Sequence, residues 1–184
     1  LALLPSYLER GNSSLVYMMD HLIKKSRIPE SGFYLHDLKK LKLTLERLEE
    51  RGIITILLGV SYALLDLAKQ FPGPLKSTIV IETGGMKGTR EELSREELHR
   101  RLSEAFEIED IHSEYGMTEL LSQAYSKKEG LFRTPPWMRI LVRDPYDPFT
   151  YLENGRSGGI NIIDLANRFS CSFIETQDLG RLYA

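Results

Sequence analysis

Between Ile53 and Ser113 the sequence alternates short apolar runs with amphipathic stretches, and this alternation limits the fold more than any other feature. Ile53-Ile54-Thr55-Ile56-Leu57-Leu58 is short, continuous and β-branched, the pattern of a strand buried on both faces of a sheet. Gly59-Val60-Ser61 then turns the chain into a helix with Leu64, Leu67, Ala68 and Phe71 on one face, stopped by Pro72-Gly73-Pro74. Thr78-Ile79-Val80-Ile81 is the next buried strand. After Gly84-Gly85, Ser94 and Glu97 form a Ser-x-x-Glu capping box for a helix with Leu98, Leu102 and Ala105 inward. Ile111-His112-Ser113 is a third short strand. Strands alternating with helices of this length imply a parallel sheet with right-handed crossovers. In such sheets ligands bind beyond the carboxyl ends of the strands. Gly59, Gly84-Gly85 and Tyr115-Gly116 all fall at such ends.

The flanks fit this core. Leu1 to Leu4 reads as the end of a buried strand stopped by Pro5. Ser13 or Ser14 caps a helix carrying Leu15, Met18, Met19, Leu22 and Ile23, with Pro29 beyond its end. A second helix starts at Asp37, with Leu38, Leu41, Leu45 and Leu48 on one face and Gly52 as the left-handed residue that ends it. Arg51 suits the dipole there, and Lys39, Lys40, Lys42, Glu46, Glu49 and Glu50 read as a solvated face. Beyond Glu119 the character changes to short strands, 138–142, 159–163 and 172–175, separated by turns such as Asp144-Pro145-Tyr146-Asp147-Pro148. The expected fold is α/β: a parallel-sheet subdomain, residues 1–126, followed by a small β-rich subdomain, residues 127–184.

Composition excludes several functions. A net charge of −2 gives no basic excess for nucleic acid. One cysteine, Cys171, rules out an intrachain disulfide framework and fits a reducing cytoplasm; between two serines it reads as a small core residue. No apolar run approaches the ~20 residues that span a bilayer. Gly84-Gly85-Met86-Lys87-Gly88-Thr89 lacks P-loop spacing, and there is neither a Gly-x-Gly-x-x-Gly fingerprint nor a Gly-x-Ser-x-Gly elbow. His21, His36, His99 and His112 have no metal-ligand spacing; three read as surface or helix residues, and His112 flanks the stretch described next.

Ser113-Glu114-Tyr115-Gly116-Met117-Thr118-Glu119 gathers a ring, a glycine, a hydroxyl and a carboxylate. Its local reading is a strand end, a glycine turn and a helix capped by Thr118. Its functional reading is a nucleotide site: a face for a base, close backbone approach, a donor for phosphate and an oxygen ligand for Mg²⁺.

Gly84-Gly85, then Tyr-Gly-Met-Thr-Glu at 115–119, then Glu175-Thr176-Gln177-Asp178-Leu179-Gly180, in that order, resembles the adenylate-forming superfamily of acyl-activating enzymes. Within it the chain resembles the acyl-protein synthetase (LuxE-type) family, also through Leu3-Leu4-Pro5-Ser6-Tyr7-Leu8-Glu9-Arg10 and Ser13-Ser14-Leu15-Val16-Tyr17-Met18. The resemblance implies ATP and Mg²⁺ as cofactors, a fatty acid as substrate and a thiol acceptor, either on a partner protein or, as in aryl- or phenylacetate-type ligases, on CoA. It implies that Gly84 and Gly85 leave room for the adenine, Tyr115 stacks on it, Gly116 lets the backbone come close to the nucleotide and Thr118 binds the α-phosphate. Glu119 would hold Mg²⁺ and Asp178 the ribose hydroxyls. Gln177 stands where the family has glycine. The superfamily's phosphate loop would precede Leu1, and its lysine domain and acyl-accepting cysteine would follow Ala184. Both ends are therefore expected to be cut, and residues 1–184 alone to be folded but catalytically silent. The reading from another class is a non-catalytic binding module.

Overall fold

The computed structural model describes residues 1–4, 13–34, 37–84 and 93–183, so Gly85, His36 and the Pro5–Arg10 stretch lie outside the described residues. Along the chain come β1 (Ala2–Leu3), α1 (Ser14–Ser26), α2 (Leu38–Glu50), β2 (Thr55–Val60), α3 (Ser61–Gln70), β3 (Thr78–Thr83), α4 (Arg95–Phe106) and β4 (His112–Tyr115). They are followed by β5 (Ala124–Ser126), β6 (Phe132–Arg133), β7 (Met138–Arg143), β8 (Ser157–Asp164), a 3₁₀ turn (Leu165–Asn167) and β9 (Phe173–Arg181). Two compact units result: Leu1–Tyr115 with Tyr125–Phe132, and Gly116–Ala124 with Arg133–Ala184.

In the first unit α1, α2 and α4 begin where a short polar side chain replaces a missing backbone partner, whereas α3 follows Val60 with no side-chain cap. Ser13 Oγ accepts from Val16 N, Asp37 Oδ1 from Lys40 N and Ser94 Oγ from Glu97 N. Only half of the expected capping box forms, because the Glu97 carboxylate accepts from Arg100 and Arg101 instead. The end of α2 closes as a Schellman motif: Gly52, at φ 62°, donates to Glu49 O, and Ile53 N donates to Leu48 O.

The sheet has the order β1-β2-β3-β4-β5-β6, and its first four strands are parallel. Thr55 to Val60 pair with Thr78 to Thr83, and Ile81 to Thr83 pair with His112 to Glu114. Leu64 and Leu67 of α3 and Leu98, Leu102 and Phe106 of α4 are buried with Leu57 and Val80 in one core. Each such leucine stabilises the fold by ~1.5–3 kcal/mol. α3 lies so close to β2 that a Cβ on Gly59 would stand 2.9 Å from Leu64 Cδ2.

Two expectations change here. The 53–58 run is not covered on both faces: Ile54, just before β2, is 80% exposed, and Ile56 within it 50%. Helix α1 spans that face only in part, its Met18, Met19, Leu22 and Ile23 bordering a groove along Ile54, Ile56, Leu58 and Ile81. Glu49 is not on a solvated face. Its carboxylate accepts from Ser77 N and from Thr78 Oγ1 at 2.6 Å, tying α2 to the start of β3.

The second unit carries an antiparallel sheet in the order β7-β8-β9. The connection after β7 is set by two aspartates: Asp144 accepts from Tyr146 N, and Asp147 accepts from Phe149 N and the Thr150 hydroxyl. Cys171 is exposed rather than in the core. Its carbonyl, not its thiol, faces inward, where Asn167 Nδ2 donates to it at 3.3 Å. Among the described residues no helix is long and apolar enough to cross a membrane.

Candidate functional site

The first unit presents the carboxyl ends of β2, β3 and β4. Gly84 and Tyr115 each follow directly on the last register pair, Thr83 with Glu114, so these two expected site residues leave adjacent parallel strands side by side. Gly84 takes φ 72°, the left-handed conformation that glycine adopts without strain. Its carbonyl is held from below: Ser61 Oγ, the first residue of α3, donates to Gly84 O at 2.7 Å and lies 3.2 Å from Glu82 Oε2. His99 Nε2 of α4 stands 3.2 Å from Ser113 Oγ and 3.7 Å from Glu82 Oε1. A serine, a histidine and a glutamate thus meet, but not as a nucleophile relay, which needs serine and carboxylate on opposite ring nitrogens. Here one nitrogen faces both. The cluster braces the strand end.

Tyr115 belongs to an aromatic group that the sequence did not reveal. Its ring meets the Phe132 ring edge-on, centroids 6.0 Å apart, and the Arg95 guanidinium lies 5.1 Å from the centre of Phe132. Gly130, at φ 66°, leaves space for Arg95, since a Cβ there would be 3.0 Å from Nη1. Phe132 and Arg95 lie 17 and 20 residues from Tyr115 with no shared period, so no local pattern pairs them.

Glu114 accepts from the Thr83 hydroxyl across the register pair. Burial pushes its carboxyl above the ordinary value of 4.5, the Thr83 bond opposes this, and the nearby Glu82 charge adds to it. Burial likewise pushes the Tyr125 phenol up to about 12, with the Glu114 charge contributing. A carboxyl that binds its proton more tightly when folded favours folding below its unfolded pKa, and that benefit is lost as pH rises through the raised value. Wild type is therefore expected to lose stability relative to Glu114→Gln as pH climbs from 4.5 through that window. Urea midpoints of both proteins across the range check this, and a constant difference contradicts it.

The second unit takes up the chain at Gly116. No helix follows, so Thr118 caps nothing. Residues 117–120 form a turn closed by Leu120 N donating to Met117 O at 3.1 Å. Leu120, 1% exposed, anchors it, while Gly116, Thr118 and Glu119 are exposed. The side chains expected to meet phosphate and metal face solvent from a pinned turn.

Asp178 sits at a bend in β9. Asn161 pairs with Glu175 and Gly159 with Leu179, so residues 176–178 bulge opposite Ile160 alone. Bulges re-aim side chains, and Asp178 is exposed here. Gln177 therefore needs no glycine turn, because the segment is strand. The bulge is held from within by Thr176 Oγ1, which donates to Ile160 O and accepts from Asp178 N. Arg143 fills the gap, donating to Ile160 O at 2.9 Å, Thr176 O at 2.8 Å and Asn161 Oδ1 at 2.7 Å. Gly159 makes room, since a Cβ there would lie 2.5 Å from Arg143 Cζ.

Among the described residues no three His, Cys, Asp or Glu side chains gather to hold a metal. His112 is partly buried in β4, and burial lowers its pKa.

No protein-family model and no curated protein matches the sequence. Among solved structures the chain is similar to ATP-bound MatB from Rhodopseudomonas palustris, with a TM-score of 0.59 and 18% identity over 81% of this chain and 32% of that one. It is similar to O-succinylbenzoate coenzyme A synthetase (MenE) from Bacillus subtilis in complex with ATP and magnesium ion, with a TM-score of 0.52 and 18% identity over 79% of this chain and 32% of that one. It is also similar to McyG A-PCP complexed with phenylalanyl-adenylate, with a TM-score of 0.51 and 18% identity over 79% and 31% of the two chains. These neighbours are adenylate-forming enzymes, and the likeness is one of fold. The chain spans about a third of their length.

Proposed function

We propose that this chain is part of an adenylate-forming ligase that activates a carboxylic acid with ATP and Mg²⁺ and passes the acyl group to a thiol. The observation that carries this is the ordered set of Gly84, Tyr115, the Thr118-Glu119 turn and the Asp178 bulge, in a chain sharing its fold with ATP-bound and adenylate-bound proteins. In the first half-reaction a carboxylate oxygen attacks the α-phosphorus of ATP, the bond to the bridging oxygen breaks, and pyrophosphate leaves. In the second a thiolate attacks the acyl carbon and AMP leaves with the bonding pair.

Gly84 leaves room for the base, Gly116 lets the backbone come close to the nucleotide, and Tyr115 stacks on the base, a contact of ~1–3 kcal/mol by analogy with other base stacking. The Thr118 hydroxyl donates to an α-phosphate oxygen. Asp178 accepts from both ribose hydroxyls, as an ionised two-oxygen acceptor does. Glu119 holds Mg²⁺, which when bound neutralises charge on the phosphate oxygens. One exposed carboxylate fits this ion, because Mg²⁺ at a triphosphate takes one or two protein carboxylates and fills its remaining positions with phosphate and water.

Within this class the resemblance to acyl-protein synthetases narrows the acid to a long-chain fatty acid and the acceptor to a protein thiol, in the cytoplasm. The likeness to a coenzyme A synthetase favours CoA as the second candidate acceptor. The test is ATP–pyrophosphate exchange by the full-length protein over a panel of fatty and aryl acids. Mg²⁺-dependent exchange with long-chain acids is expected, followed by hydroxylamine-sensitive label on protein. Label on CoA, or a preference for aryl acids, replaces the narrower reading; no exchange with any acid leaves a non-catalytic nucleotide-binding module.

A further inference from the structure

The turn that carries Thr118 and Glu119 is gripped from behind by two side chains far along the sequence. Asn167, the last residue of the 3₁₀ turn, donates from Nδ2 to Glu119 O and accepts at Oδ1 from Leu121 N at 2.9 Å. Its amide fits only one way round, since the nitrogen faces a carbonyl and the oxygen an N–H. Asp164, the last residue of β8, accepts from Ser122 N at 2.9 Å through Oδ2 and from Ser122 Oγ at 2.8 Å through Oδ1. Ser122 Oγ in turn accepts from Trp137 Nε1 at 2.9 Å. Asp164 is 0% exposed and Asn167 1%. The Asp164–Ser122 bonds are buried and the Asn167 bonds partly so, and a buried polar group left without its partner is costly.

Three consecutive links of backbone, at Glu119, Leu121 and Ser122, are therefore fixed by one corner of the second unit. We propose that Asp164 and Asn167 are positioning residues for the reaction proposed above: by holding this backbone they set the direction in which Glu119 presents its carboxylate. The proposal rests on the adenylate-forming reading. Neither residue touches substrate; each acts through the main chain of the turn. The grip is also economical in parts, because the residues that hold the turn are themselves pinned. Asp164 Oδ1 accepts from Ala166 N, and Asn167 O accepts from Ser170 N and the Ser172 hydroxyl.

The decisive variant is Asn167→Asp in the full-length protein. It keeps the shape and the acceptor for Leu121 N, but turns a carboxylate oxygen toward Glu119 O. Groups that orient a metal ligand typically change metal affinity or activity by ~10–100-fold when replaced. The Mg²⁺ concentration for half-maximal ATP–pyrophosphate exchange is expected to rise by about that factor, with AMP affinity unchanged within about threefold. Amide hydrogen exchange in metal-free protein should quicken at Leu121 and Ser122 while β7 to β9 stay protected. Asp164→Asn, which retains one acceptor oxygen for Ser122, should show a smaller change in the same direction. A wild-type Mg²⁺ requirement in Asn167→Asp, with only the thermal midpoint lowered, overturns this proposal and leaves the ligase reading standing. A wild type without acid-dependent exchange overturns both.

Discussion

Glu119→Gln in the full-length protein is expected to lower acid-dependent ATP–pyrophosphate exchange by ~10²–10³-fold while AMP affinity moves little. Glu119 would act through Mg²⁺ on charge that grows as pyrophosphate departs, and ion-mediated stabilisation of transition-state charge is worth several kcal/mol, of which ~3–4 kcal/mol corresponds to that factor. A contact strengthened in the transition state shows itself in turnover rather than ground-state binding. Excess Mg²⁺ should restore part of the loss. Asp178 offers the contrast, because its proposed partner, the ribose, is the same before and during the reaction. A hydrogen bond to a charged group contributes ~1.5–3 kcal/mol, so Asp178→Ala should weaken ATP and AMP alike by ~10–150-fold. Titration of both nucleotides, with exchange rates at several Mg²⁺ concentrations, separates the two. Equal loss of AMP affinity in both variants, unrelieved by Mg²⁺, would falsify the division of roles.

The largest effect on stability is expected from Gly158→Ala. A Cβ at that position would stand 2.2 Å from Arg143 O, 2.8 Å from Leu152 Cδ1 and 2.9 Å from Val142 Cγ1. The first contact is to backbone at the end of the β7–β8 ladder, where Arg143 pairs with the next residue, Gly159, so no rotamer change relieves it. Overpacking of this kind costs ~1–3 kcal/mol and occasionally more, and the upper end is expected here. The same displacement would pull Arg143 from the carbonyls of Ile160 and Thr176, so Asp178 should lose its bulge as well. Gly32→Ala is the control, because a Cβ there meets only Tyr34 Cε2 at 3.9 Å. Denaturant unfolding of the two variants beside wild type measures the difference; similar midpoints would show that the β7–β8 ladder yields more easily than its geometry implies.

The sequence alone determined the parts of this protein that are local. A cap at Ser13 or Ser14 (the structure uses Ser13), a helix start at Asp37, the Ser94 cap, Gly52 at the end of α2, and a parallel run β2, β3, β4 whose ends carry Gly84 and Tyr115 were all legible. Caps, turns and hydrophobic periods act over a few residues, so they leave a readable pattern. Tertiary structure decided what depends on partners distant in sequence. Asn167 reaches Glu119 across 48 residues, Ser61 reaches Gly84 across 23, and Arg143 reaches Thr176 across 33. Such pairs have no period, and each partner taken alone reads as an ordinary turn or surface residue. The same cause explains the misread positions. Glu49 looked solvated because its partners are the start of β3, 28 and 29 residues on. Cys171 looked buried because apolar character in a sequence does not say which way a residue at a bend will face. Ile54 and Ile56 read as covered on both sides because β-branched runs usually are, and how much of a sheet face the neighbouring helices cover is settled only by where those helices pack.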